Sequence, residues 1–101
     1  MNWFGIAEIT AKMTNNPGIC IPKINNDINQ YDIQYVFNKL NIGKIEDIRF
    51  IGKDTKTVFI KMQYWNRNQF AQDLCGRLIE GKTVNIVYDF PWFWKCVMIR
   101  G

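Results

Sequence analysis

The stretch Lys44–Trp65, KIEDIRFIGKDTKTVFIKMQYW, decides how this chain folds. In its first half Ile48 and Phe50 share one side of an extended backbone, with Arg49 and Ile51 on the other. In its second half Val58, Ile60 and Met62 alternate with Thr57, Phe59 and Lys61. Gly52-Lys53-Asp54 supplies turn chemistry between the two runs. The whole stretch therefore predicts a β-hairpin with one apolar and one mixed face.

The pattern changes to a helical period on both sides of the hairpin. Upstream, Asn29 with Asp32 three residues later makes an approximate capping box, and Ile28 is placed to staple against Ile33. Ile33, Val36, Phe37 and Leu40 then form one apolar stripe, and Gly43 is the expected terminator. Downstream, Asn66 or Asn68 caps a second helix whose buried stripe is read as Phe70, Ala71, Leu74 and Leu78, ending at Gly81. Gly76 inside it costs about 1 kcal/mol relative to Ala.

Two further strands flank the helices. Residues 19–24, ICIPKI, alternate Ile19 and Ile21 with Cys20 and Pro22, and residues 82–89, KTVNIVYD, set Val84, Ile86 and Tyr88 opposite Asn85 and Val87. The order strand, helix, strand, strand, helix, strand predicts an α+β domain over residues 18–89. Its architecture is the ferredoxin-like βαββαβ arrangement, a four-stranded antiparallel sheet with two helices on one face and the other face open. Residues 1–17 are an N-terminal extension in which Ile6, Ile9 and Met13 have helical spacing. Residues 90–101 are an aromatic tail, PWFWKCVMIR within it, able to continue as an extra strand.

The totals agree with one small domain. The 101 residues are 48% hydrophobic and 22% charged, which describes a globular chain of single-domain length. A net charge of +4 permits a polyanionic partner without requiring one. Glu8 and Lys12 interrupt the only apolar stretch near the start, so no secretory leader is expected, and no run reaches membrane-spanning length. Cys20, Cys75 and Cys96 are odd in number and far apart, which fits reduced thiols and an intracellular location.

The residues from Gly18 to Asp89 resemble an RNA-recognition motif. ICIPKI resembles that family's first-strand hexapeptide and KTVFIKM its third-strand octapeptide. Phe37, Gly43, Ala71, Leu74, Leu78 and Gly81 stand at matching helix positions. The resemblance implies bases stacked at Cys20, Thr57 and Phe59, of which only Phe59 is a ring, so two of three platforms are missing. Pro22 is a further departure, because it offers no amide to a central strand. ICIPKI, NIGKIEDI and YDFPWFWK together are similar to small proteins of this fold encoded by large nucleocytoplasmic DNA viruses. That likeness implies a product located in the host cytoplasm or the virion.

Catalytic chemistry finds little support. Without histidine there is no Ser-His-Asp or Cys-His arrangement and no histidine metal ligand, and the cysteines lack paired metal spacing. No cofactor and no enzymatic activity are expected. Glu46 and Asp47, adjacent on a strand, are expected on opposite faces.

The remaining constellation is a nucleic-acid-binding surface: Phe59 as the stacking ring, with Arg49, Lys61, Lys53 and Lys56 for phosphate and Asn85 on the last strand. The bland role of such charges is to keep an uncovered sheet face in solution. The partner is then a single strand of RNA or DNA. The competing class is a protein-interaction or virion-structural module that uses the sheet face or the tail. Trp92, Phe93 and Trp94 carry too much apolar surface to be left in water. They either fold back as a lid over Phe59 or anchor a partner, and the lid is favoured at least in part.

Overall fold

The computed structural model describes residues 16–99. They form β1 (Ile19–Ile24), α1 (Gln30–Lys39), β2 (Gly43–Ile51), β3 (Lys56–Trp65), α2 (Gln69–Ile79), β4 (Val84–Asp89) and β5 (Trp92–Met98). The fold is α+β, with two helices and one antiparallel sheet. The sheet has five strands in the order β2-β3-β1-β5-β4, which corrects the expected four. The helix anticipated at Ile6, Ile9 and Met13 lies outside the described residues.

The fifth strand changes the topology as well as the count. β1 pairs antiparallel with both β3 and β5, so β3 and β5 run the same way. Among the described residues β4 pairs only with β5, and it runs as β1 does. The position beside β1 expected for residues 82–89 is therefore taken by Trp92–Met98, and β4 is an added outer strand. β4 and β5 are joined by a two-residue turn at Phe90-Pro91, whose peptide bond is cis, and a turn that short pairs the two strands side by side.

Both helices cover the same face. Ile19, Ile21, Val58, Ile60, Ile86, Trp94 and Cys96 point to it and bury against Ile33, Phe37, Leu74 and Leu78. α1 begins with a complete capping box: the Asn29 side chain accepts from the Tyr31 and Asp32 amides, and the Asp32 carboxylate accepts from the Asn29 amide at 3.0 Å. Asn41, at φ 56°, makes the left-handed exit, a role expected of Gly43. Gly43 instead opens β2, where a Cβ would stand 2.3 Å from the Tyr64 carbonyl oxygen. α2 is capped by Asn68, whose Oδ1 accepts from the Ala71 amide at 2.8 Å. Phe70, expected in the buried stripe, is exposed, and Cys75 takes its place.

Candidate nucleic-acid interface

The face away from the helices carries Thr57, Phe59 and Lys61 of β3, Phe93, Lys95 and Val97 of β5, and the residues paired with them. Arg49 stands opposite Phe59, Phe59 opposite Cys20, and Cys20 opposite Val97, so one row crosses four strands. The next row toward the chain ends holds Asp47 opposite Lys61, then Gly18 and Ile99, joined by the Ile99 amide donating to the Gly18 carbonyl at 2.9 Å. Gly18 leaves room for the Ile99 side chain, which would meet a Cβ there at 2.7 Å. The result is a shallow depression lined by Glu46, Asp47, Arg49, Phe59, Lys61 and Ile99.

Its electrostatics are balanced. The pairing of β2 with β3 shifts between Ile45 and Asp47, leaving Glu46 as an extra residue. This bulge overturns the expectation that Glu46 and Asp47 diverge: both carboxylates serve the same depression. Lys61 Nζ lies 2.9 Å from Glu46, and Arg49 Nε donates to Asp47 at 3.0 Å. The Arg49 hydrogen bond holds the Asp47 carboxyl below its usual range, and the Glu46 hydrogen bond raises the Lys61 ammonium. Two cations meet two anions around Phe59.

The other expected residues are distributed more widely. Lys53 is exposed in the β2–β3 turn. Lys56 lies on the helix side of β3, its Nζ 5.6 Å from the centroid of the Phe50 ring, and does not join the open face. Asn85 faces outward on β4, but three strand spacings, roughly 14 Å, separate β4 from β3. The Thr57 hydroxyl is occupied, donating to the Pro22 carbonyl at 2.8 Å.

The tail residues divide among three environments. Trp94 is 4% exposed beneath the helices, Phe93 is 44% exposed on the open face, and Trp92 is 63% exposed at the start of β5. Trp92, Phe93 and Trp94 belong to a strand beside β1 and do not form a lid over Phe59; among the described residues after Asp89, Ile99 lines the depression with that ring. Phe59 itself is half-buried.

Lys95 is a candidate site residue that sequence reasoning missed. It lies two positions from Phe93 on the same face, opposite Asn85. The signal was the alternation in WFWKCVM, which as a strand sets Phe93, Lys95 and Val97 together. Cys20 is half-buried on this face, whereas Cys75 and Cys96 are buried in the core, and all three thiols are free. Among the described residues no helix is long and apolar enough to cross a membrane. Comparison with protein-family models, curated proteins and solved structures gives no match, so what this face can do follows from its geometry.

Proposed function

We propose that this chain is a non-enzymatic domain that binds single-stranded nucleic acid, RNA in the first instance, on the open face of its sheet. The observation that carries this reading is the placement of Phe59: a half-buried ring on an inner strand, between Arg49 and Cys20, on a face covered by neither helix. A ring so placed can stack a base while neighbouring cations meet phosphate. β1, β2, β3 and β5 with the two helices constitute a ferredoxin-like core in this reading, and β4 is an edge addition. The resemblance to an RNA-recognition motif supports the same face.

The balanced charges set the character of the binding. The ion pairs Arg49–Asp47 and Lys61–Glu46 are exposed and screened by solvent, so phosphate can displace the carboxylates. With no net local charge and one intact stacking position of three, affinity is low and its salt dependence shallow. The test is fluorescence anisotropy with labelled 12-nucleotide RNA and DNA at 50 and 200 mM salt. Saturable binding at low salt that weakens on Phe59→Ala supports the reading; no binding, or indifference to Phe59→Ala, overturns it.

A second reading is favoured by a separate observation. Phe90 and Trp92, both strongly exposed, sit on the tip of the β4–β5 hairpin. Such rings are common protein-interface anchors. In this reading the chain is an interaction or virion-structural module in the host cell, as the viral resemblance implies. Trp92→Ala abolishing co-sedimentation with a candidate partner, with nucleic-acid binding absent, would favour it.

A further inference from the structure

We propose that the outer hairpin of β4 and β5 holds a second nucleotide subsite, in which Phe93 stacks a base, Lys95 meets the backbone phosphate and Asn85 bonds the base edge. This rests on the nucleic-acid reading above and moves the weight of binding away from Phe59 alone. Three observations carry it.

The first is register. Asn85 stands directly opposite Lys95, and Val87 directly opposite Phe93, so ring, ammonium and amide share one side of one hairpin. Phe93 and Lys95 are two residues apart, about 7 Å along the strand, which suits the base and the phosphate of one nucleotide. The Asn85 amide, exposed and diagonal to the ring, offers both a donor and an acceptor to a base edge.

The second is charge. Arg49 and Lys61 beside Phe59 are each bonded to a carboxylate, whereas among the described residues Lys95 has no carboxylate within ion-pair distance. A phosphate reaching Lys95 displaces no carboxylate of the described residues. The cation is thus better disposed toward phosphate at the hairpin than in the depression around Phe59.

The third is continuity. Because β5 adjoins β1, the row Phe59, Cys20, Val97 leads without interruption onto the strand that carries Lys95 and Phe93. Phe93 lies two strands across from Phe59 and four residues along, roughly 16 Å by strand geometry. That distance is spanned by about five stacked nucleotides, or fewer if extended. β5 thereby supplies a second ring to a face on which Cys20 and Thr57 provide none.

The experiment uses the full chain and a labelled 12-nucleotide uridine RNA, with anisotropy read from 50 to 200 mM salt for wild type, Phe59→Ala, Phe93→Ala, Lys95→Gln and Asn85→Ala. Expected are a 5- to 150-fold weakening for Phe93→Ala and a salt slope smaller by about 1 for Lys95→Gln. Asn85→Ala should reduce discrimination among uridine, adenine and cytosine oligomers. Because Lys95→Gln leaves every ring in place, its salt slope decides the matter even if Phe93→Ala folds poorly. Loss of binding in Phe59→Ala, with Phe93→Ala and Lys95→Gln unchanged, overturns the subsite and leaves the nucleic-acid reading standing. No binding by wild type overturns both. Concentration-dependent dimers abolished by Phe93→Ala, without RNA binding, would assign the hairpin to a second copy of this chain and overturn it too.

Discussion

Trp94 lies nearly flat against Tyr88, their ring centroids 4.6 Å apart and their planes 19° from parallel, although the ladder sets Trp94 opposite Ile86. The pair is a diagonal cross-strand contact, within reach of large rings. It fastens the added strand β4 to β5 on the buried face. Trp94→Ala is expected to cost about 3 to 5 kcal/mol in urea unfolding. A double-mutant cycle with Tyr88→Ala should return a coupling of about 0.5 to 1.5 kcal/mol. Strict additivity would show that the stack contributes nothing beyond burial.

The Cys96 thiol predicts an alkaline limit to stability. Burial pushes its pKa from 9.0 up to about 12, with the neighbouring Cys20 adding in the same direction. The native state keeps this proton while the unfolded chain loses it, so the contribution is complete below pH 9 and declines as pH rises toward 12. The slope from this group is at most about 1.4 kcal/mol per pH unit. Urea midpoints at pH 8, 9 and 10 should fall more steeply for wild type than for Cys96→Ala; parallel slopes would contradict the assignment.

Neutralising the depression's carboxylates should strengthen nucleic-acid binding. In Glu46→Gln with Asp47→Asn, Arg49 and Lys61 lose their partners and become available to phosphate. Higher affinity at 50 mM salt and a salt slope steeper by up to about 1.4 are expected for a single strand. Unchanged binding would place phosphate contacts away from Arg49 and Lys61.

Gly76 offers a stabilising substitution. A Cβ added there meets no heavy atom within 4 Å, so its helix position is open. Gly76→Ala should raise stability by about 1 kcal/mol, seen as a rise of roughly 4 to 8 °C in thermal midpoint for a domain of this size. No change would indicate that α2 is not helical at Gly76 before unfolding.

Asn68 joins two elements. Its Oδ1 caps α2 through the Ala71 amide, and its Nδ2 donates to the Asn41 carbonyl at 2.7 Å, next to the left-handed exit of α1. Asn68→Ala is expected to cost about 1 to 2 kcal/mol. Asn68→Asp keeps the cap and loses the tether, so its urea midpoint should fall between those of wild type and Asn68→Ala. A loss as large as that of Asn68→Ala would assign the whole effect to the tether.

Side-chain periodicity in this sequence was sufficient to locate both helices and the first four strands, and to assign Val58, Ile60 and Ile86 inward and Phe59, Lys61 and Asn85 outward. Those features depend on neighbours within one element, where alternation or a 3.6-residue repeat states which side chains share a face. Neighbour relations between strands are not written in that period. Whether Val84–Asp89 or Trp92–Met98 adjoins β1, and hence whether Asn85 stands near Phe59 or beside Lys95, is decided only in the assembled sheet, where Ile19 and Cys20 pair with Met98 and Val97 while both strands send residues into the shared core. The Glu46 bulge is of the same kind: one extra residue in β2 acquires meaning only against β3, where it brings a second carboxylate to the cations around Phe59.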